Sequence, residues 1–338
     1  MSFEVLQPGS RWRSRFFPNG PSDPEETARP PEGILAYAAC RNGSFHPSLG
    51  SLPETSSDVL LVLDKKNLRQ ALSSLQFLRR RGVRVRVICR ESRAADFAEL
   101  LCDVTRCELF VEICQCSDGA IATTPESVSL FESVGSPETQ FIPPPCAVDF
   151  PSWDFSQPPE KRRGIFVGTN SFHAAESNHM VAILMADRLS RELECPLAVV
   201  NTEGRRGGMI LKSLRKKNPL FFIVEAPIDY VDLLRVMSLH RIVWHLDEGC
   251  GPGTSASAAL LCRIPCVGGN GAIERSAFPR LCSPASREEL LESARLLLTN
   301  DKVWKEAVEA SQQRAADFLS FHKTSARLAA PPSRRIHS

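Results

Sequence analysis

Short continuous apolar runs recur along the chain, and helical spacing of apolar residues appears between them. In the first half these runs lie at residues 34–39, 58–64, 83–89, 107–113, 119–123 and 139–143. Runs of this length without alternation are typical of strands that are buried on both faces of a parallel sheet. The pattern therefore predicts an α/β protein with a strand at each of these runs.

The alternation becomes regular beyond residue 163. Strands are predicted at 164–168, 196–201, 220–225, 241–246 and 264–269, with helices between them and two more helices at the end. Successive β-α units of this kind imply right-handed crossovers and a doubly wound parallel sheet.

A proline-rich segment separates the two series of strands. Proline fixes φ and lacks an N–H, so we expect this segment to run extended over the surface. Residues 1–32, at the start of the chain, are rich in Pro, Gly, Ser and Asp and have no sustained hydrophobic period. The predicted organisation is a flexible leader (1–32), a first Rossmann-like domain (33–145), a linker (146–163), a second Rossmann-like domain (164–320) and a flexible tail (321–338).

Composition narrows the classes of partner. The 338 residues carry a net charge of +2, which argues against nucleic acid as the main partner. The side chains of the basic runs at 79–81, 205–206 and 215–217 are predicted to be exposed to solvent. No apolar run reaches the length of a signal peptide or a membrane span, so a cytoplasmic location is predicted. Twelve cysteines without C-x-x-C spacing predict buried thiols and no metal site.

Three loops at the predicted carboxyl ends of strands are candidates for ligand binding, because ligands of open parallel sheets bind there, at helix N-termini that suit phosphate. The first is Gly168, Thr169 and Asn170. The second contains Gly251, Gly253, Thr254 and Ser255 ahead of an Ala-rich helix, and its backbone can wrap a diphosphate. The third, 268–271, is predicted to lie beside the second. A plain turn without a ligand is the alternative for the first two.

The segment from 241 to 269 resembles the donor-site signature of the GT-B glycosyltransferases, a superfamily with two Rossmann domains, and is most similar to glycosyltransferase families 1 and 4. The resemblance rests on an acidic residue, a Gly-Pro-Gly turn, an Ala-rich helix and the strand CRIPCVGG, with Pro265 at the family's proline. Residues 119–150 are similar to the last helix of the family's first domain and its linker, with Asp149 at the linker's aspartate.

This resemblance implies two domains that face a cleft, and a helix at 304–318 that crosses back to the first domain. It also implies metal-independent transfer of a sugar from a nucleotide-sugar to an acceptor, as in carbohydrate biosynthesis, without a cofactor. The implied donor site contains Gly168, Thr169, Asn170, Glu225, Glu248, Gly251, Gly253, Thr254 and Ser255. A bulky side chain at Gly253 is expected to block the donor with little effect on the fold.

Arg41 and Asn42 are the candidate acceptor loop. His46 is the candidate general base, since an imidazole suits proton transfer near neutral pH, and a solvated loop histidine is the alternative.

Cys250 and Ala258 occupy the places of two glutamates that many retaining members carry, and the family's diphosphate-binding Arg and Lys are missing. Two alternatives to a transferase therefore stay open, a catalytically silent scaffold and a nucleotide-sugar epimerase or hydrolase. Contact with a membrane surface also stays open.

Overall fold

The structure is a computed structural model that describes residues 3–18, 20–21, 24, 29–90, 94–168, 175–249, 251–282 and 285–330. The chain divides into two compact units. The first consists of Met1–Ser22, Pro30–Asp149 and Leu319–Ser338, and the second of Asp23–Arg29 and Phe150–Phe318. The main chain therefore leaves the first unit at Asp149, inside the segment predicted to be the linker.

The elements follow in chain order. They begin with β1 (Phe3–Leu6), β2 (Arg15–Phe16), α1 (Ile34–Ala39), β3 (Ser44–His46), β4 (Asp58–Leu63), α2 (Leu68–Arg80), β5 (Arg84–Cys89), α3 (Ala94–Leu101), α4 (Val104–Cys116), β6 (Ala120–Ala122), α5 (Pro125–Ser133) and β7 (Thr139–Phe141). They continue with β8 (Ile165–Val167), α6 (His179–Glu192), β9 (Leu197–Asn201), α7 (Gly204–Arg215), β10 (Phe221–Glu225), α8 (Tyr230–Ser238), β11 (Ile242–Trp244), α9 (Thr254–Leu261), β12 (Cys266–Val267), α10 (Ala272–Ala277), α11 (Arg287–Thr299), α12 (Asp301–Phe318) and α13 (Phe321–Ala329).

The sheet of the first unit has the order β2-β3-β1-β4-β5-β6-β7. Its strands are parallel except for β2, which pairs antiparallel with β3. One buried cluster joins the strand residues Leu61 and Val85 to Leu75 of α2, Phe110 of α4 and Phe131 of α5. Helical and strand residues therefore share one core, as the apolar pattern predicts.

Three predictions for this unit are wrong. The runs at 34–39 and 107–113 form parts of α1 and α4, and not strands. Short apolar runs do not distinguish a buried helix from a buried strand. The run at 34–39 is half alanine, which favours a helix. The run at 107–113 belongs to a helix that Asp103 caps by accepting a hydrogen bond from Arg106 N. The predicted leader contains β1, whose four residues are all buried between β3 and β4.

The second unit has a five-stranded sheet in the order β10-β9-β8-β11-β12, and all neighbours are parallel. Its five strands are those that the sequence predicts. The chain proceeds from β8 outward to β10 and then returns to the other side of β8 with β11. The strand order therefore reverses between β8 and β11, which is the position where open parallel sheets bind ligands.

The C-terminal helices differ from the prediction. The helix expected at 304–318 corresponds to α12, which packs on α9, α10 and α11 of the second unit; its contact with the first domain stays a prediction. Gln312 Nε2 donates to Leu260 O at 3.0 Å and Arg314 Nε to Ser276 O at 2.8 Å. The helix that belongs to the first unit is α13, which lies in the predicted flexible tail. It is ordered because Phe321 and Leu328 are buried and because the Asp149 carboxylate accepts hydrogen bonds from its first N–H groups.

Candidate functional site

The carboxyl ends of β8, β11 and β12 form one continuous edge of the second sheet. Gly168 N donates to Trp244 O at 3.2 Å, and His245 N donates to Val267 O at 3.1 Å. Each of these strands is followed by one of the three glycine-containing loops of the sequence. The structure therefore places the roots of these loops side by side at the switch point of the sheet.

Gly168 contacts the start of α9. A Cβ built on Gly168 would lie 2.9 Å from Ser255 Oγ and 3.6 Å from His245 Cβ. The absence of a side chain lets the end of β8 approach the first turn of α9. The predicted site residues Gly168 and Ser255 are thus neighbours, whereas Thr169 and Asn170 lie outside the described residues.

The turn from Gly251 to Gly253 leads into α9. Gly253 is the N-cap of this helix with φ +88°, and it has no side chain with which to cap it. The first N–H groups of a helix have no partner within the helix, so the start of α9, at Thr254 and Ser255, offers donors and a positive dipole end to an anion. A Cβ on Gly251 would meet no atom of the described residues within 4 Å, so none of these residues fills this side of the turn.

The third loop lies beside this turn, as predicted. Ala272 N, at the start of α10, donates to Gly251 O at 3.0 Å, and Asn270 Nδ2 donates to Glu248 O at 3.3 Å. The turn is therefore held by backbone contacts to the following β-α unit.

A buried pair behind the turn was missed by the sequence reasoning. Glu274 on α10 is 2% exposed, and its Oε1 lies 3.4 Å from Nε2 of His245, which is 3% exposed. Neither imidazole nitrogen has a hydrogen-bond partner, and neither does Glu274 Oε2, so the two side chains form an ion-pair contact and not a well-aligned hydrogen bond. The sequence predicted no helix at 272–277, and without α10 nothing indicated that Glu274 returns to the turn.

The charges of this pair compensate each other. Burial acts to lower the pKa of His245, but Cys266 and Glu274 together raise it well above its ordinary value. Burial raises the pKa of the Cys266 thiol, and the neighbouring His245 opposes this rise. An imidazolium next to the Glu274 carboxylate removes the net negative charge that would otherwise repel an anion from the start of α9.

The expectation for Gly253 is wrong. Its Cβ would overlap Glu274 Oε2 and would lie 2.9 Å from Glu274 Cδ, and its φ of +88° is unfavourable for any residue with a side chain. A bulky residue at this position would disturb the packing of the turn before it reached a ligand. Gly251 is the glycine of this turn at which a side chain would meet no atom of the described residues within 4 Å.

The two candidate glutamates are Glu225, which ends β10, and Glu248, which lies in the loop after β11. Glu225 is exposed at the end of β10, where it accepts a hydrogen bond from Asn201 Nδ2 at 2.6 Å. β10 is two strands from β8, a separation of roughly 10 Å. Glu248 is also exposed and lies 3.7 Å from Arg287 Nη2. Asn201, at the carboxyl end of β9, was not among the predicted site residues.

The candidates of the first unit are not where the sequence predicted. Because 34–39 is a helix, Arg41 and Asn42 form the turn that precedes β3, and so they lie at the amino edge of the parallel strands, opposite the edge where such sheets bind ligands. His46 is a strand residue and not a loop residue. It is 6% exposed, and its Nε2 lies 3.1 Å from Oε2 of Glu4, which is also buried. The expectation of a loop histidine, catalytic or solvated, is therefore wrong in its placement.

Other classes of site were also considered. The cysteines that the structure describes are free thiols, and most of them are buried, as predicted. Within the described ranges, no group of three or more His, Cys, Asp or Glu side chains is arranged to hold a metal ion. No helix in the described part of the chain is long and apolar enough to cross a membrane.

Two sheets of this order, each flanked by helices, define a Rossmann-like α/β protein. Comparison of sequences finds no matching family model and no matching curated protein. The fold is nevertheless shared with solved structures, and it is the GT-B fold that the sequence resemblance implied.

A trehalose-6-phosphate structure from E. coli with bound UDP-2-fluoro glucose has a TM-score of 0.60 at 13% identity, covering 84% of this chain and 76% of that one. A trehalose-6-phosphate synthase from Burkholderia multivorans has a TM-score of 0.57 at 10% identity, covering 86% and 73%. TarM has a TM-score of 0.58 at 12% identity, covering 83% of this chain and 57% of that one. At these identities the likeness establishes the fold alone.

Proposed function

We propose that this protein is a glycosyltransferase that moves a sugar from a nucleotide-sugar donor to an acceptor without a metal ion. The observation that carries the proposal is the edge formed by Gly168, the Gly251–Gly253 turn and the start of α9. One solved structure of the same fold has a bound UDP-sugar analogue, and the synthase of this fold forms a sugar phosphate. Nucleotide-sugar chemistry is therefore the first expectation for such an edge.

In the proposed mechanism, the donor diphosphate lies against the open side of Gly251 and the N–H groups at the start of α9. Negative charge develops on the leaving nucleoside diphosphate as the glycosidic bond breaks. Backbone N–H groups that are already oriented toward this charge stabilise it without reorganisation. Ser255 Oγ, beside Gly168, supplies a hydroxyl donor to the same region. In this scheme the helix start replaces the missing basic residues, so chelators are not expected to reduce the rate.

Glu225 and Glu248 are proposed as acceptors of hydrogen bonds from donor hydroxyl groups. Both are exposed carboxylates at the carboxyl edge of the second sheet, Glu225 at the end of β10 and Glu248 in the loop after β11. No residue of the first unit is assigned as a general base.

A thermal-shift panel of UDP-, GDP-, ADP- and CMP-sugars tests the proposal. A ligand at a hundredfold excess over its dissociation constant stabilises the protein by about 2.7 kcal/mol, which corresponds to a shift of roughly 5–10 °C for a unit of this size. One nucleotide class is expected to give this shift. Gly251→Leu is expected to abolish it, because the new side chain enters the open space that the diphosphate needs.

Gly50→Leu is the matched control, because a Cβ on Gly50 also meets nothing within 4 Å and Gly50 lies in the first unit. The proposal is wrong if no nucleotide-sugar stabilises the protein, or if Gly251→Leu binds the donor as the wild type does. Release of nucleoside diphosphate, with and without candidate acceptors, then separates transfer from hydrolysis. Donor binding without any turnover would favour the silent scaffold, which the replacement of the family's glutamates at Ala258 and Cys250 already suggests.

A further inference from the structure

The outward face of α7 carries two rows of residues, each with basic residues at its ends and one apolar residue between them. Residues three and four apart lie next to each other on a helix surface. The first row contains Arg205, Met209, Lys212 and Lys216, and the second contains Arg206, Ile210, Ser213 and Lys217, where the last residue of each row lies just past the helix end. All eight residues are exposed.

The opposite face of α7 is buried. Gly207, Gly208 and Leu211 lie against the sheet, and a Cβ on Gly208 would lie 3.3 Å from Asn201 Nδ2. The helix is thus fixed in its rotation by its inner face. Met209 and Ile210 cannot turn inward, and they remain 65% and 39% exposed.

The basic residues of this face have no acidic partners among the described residues. Of the residues that the structure describes, none forms an ion pair with Arg205, Arg206, Lys212, Lys216 or Lys217. Arg215, at the end of α7, adds a sixth unpaired cation. The net charge of the whole chain is only +2, so the rest of the chain is net acidic. Positive charge is therefore concentrated on one helix that also exposes two large apolar side chains.

We propose that this face of α7 binds the surface of an anionic lipid bilayer. Long basic side chains keep their charges at the headgroups while their alkyl parts and neighbouring apolar residues enter the boundary of the acyl region. Met209 and Ile210 lie at the middle of the two rows, where they would insert, and the cations flank them toward both ends. Each cation near such a surface contributes to attraction, and the attraction falls with added salt.

The apolar residues favour a bilayer over nucleic acid as the partner. Non-specific binding of single strands uses basic grooves with aromatic side chains on which bases stack, and the two rows contain no aromatic residue. Exposed Met and Ile add nothing to contacts with phosphates alone. This proposal does not depend on the glycosyltransferase assignment.

Co-sedimentation of the full chain with vesicles tests the proposal. Vesicles of phosphatidylcholine with phosphatidylserine are expected to bind the wild type, and vesicles of phosphatidylcholine alone are not. Two double variants probe the two components of the face. Lys212→Glu with Lys216→Glu is expected to weaken binding by about 25-fold or more, because each lost cation costs roughly fivefold. Met209→Ser with Ile210→Ser is expected to weaken it by about tenfold while leaving its salt dependence unchanged.

Leu296→Ser is the matched control, because Leu296 is 44% exposed on α11, away from the α7 face, and this variant is expected to bind as the wild type does. All the substituted positions are exposed, so the melting temperature serves as a check that each variant is folded. Absence of binding to the anionic vesicles overturns the proposal, as does unchanged binding by Met209→Ser with Ile210→Ser. Binding of an RNA oligomer that depends on the same lysines, without vesicle binding, would assign the face to nucleic acid and would also overturn it.

Discussion

Replacement of Gly253 by alanine is expected to destabilise the second unit strongly. Gly253 has φ +88°, and this left-handed conformation costs an L-residue about 1–2 kcal/mol. The new Cβ would also overlap Glu274 Oε2 and would lie 3.0 Å from Ile273 Cβ. Glu274 is buried, so its carboxylate can move only by leaving His245.

Separation of a buried ion pair costs about 3–5 kcal/mol when one charge is left uncompensated. The expected loss in the free energy of unfolding is therefore about 4–7 kcal/mol, which is a large part of the total of about 5–15 kcal/mol for an ordinary protein. Urea unfolding followed by circular dichroism measures this loss. Gly251→Ala is the matched variant in the same turn, and it is expected to change the stability by less than about 0.5 kcal/mol because its Cβ meets no atom within 4 Å.

A double-mutant cycle with Glu274→Ala isolates the contact. Removal of the carboxylate leaves space for the Cβ, so Gly253→Ala should then cost only the backbone strain, and the coupling between the two positions is expected to be about 3–5 kcal/mol. Equal effects of Gly253→Ala in both backgrounds would refute the role of Glu274. A loss below about 1 kcal/mol in the wild type would refute the whole argument.

Three further outcomes are expected. Burial lowers the pKa of His179 from 6.5 to about 4. The contribution of His179 to the free energy of unfolding is therefore present above pH 6.5 and falls by about 3 kcal/mol as the pH drops to 4. In urea unfolding across this pH range, His179→Leu should remove this part of the loss. Asp149→Ala removes two acceptors from the start of α13 and should cost about 1–2 kcal/mol in the same assay, whereas Asp149→Asn keeps one of the two acceptors and should retain only part of the stability. Arg41 lies at the amino edge of the first sheet, so Arg41→Ala should change the rate of nucleoside diphosphate release by less than about twofold. A larger change would return the acceptor role to the turn at Arg41 and Asn42.

The sequence predicted the second unit far better than the first. Each of the five strands of the second unit is an apolar run between clear helical segments, and tertiary packing did not override these local sequence patterns. In the first unit the run at 34–39 is apolar throughout, so it carries no periodicity that separates helix from strand. The assignment of Arg41, Asn42 and His46 depended on that run being a strand, and all three were misplaced when it proved to be a helix.

The candidate site was predicted in part for a similar reason. Gly168 and the Gly251–Ser255 turn follow predicted strands, so the rule for carboxyl ends located them. Glu274 contributes through tertiary packing on a short helix, and no local pattern connects it with His245, 29 positions earlier in the chain. The position of the overlap at Gly253 follows from that packing and could not be obtained from composition.

The last helix has a consequence for how the chain can be divided. Within the first unit, Cys146 N donates to Leu319 O at 2.8 Å, and Cys146 forms an isolated bridge with Ser320, so the point where the chain departs and the point where it returns are adjacent. Apart from the short segment 23–29, the second unit is therefore an insertion between two neighbouring positions of the first. A fragment ending at residue 318 would lack a helix of the first unit, whereas excision of 150–318 with a short bridge would keep both ends of the first unit together.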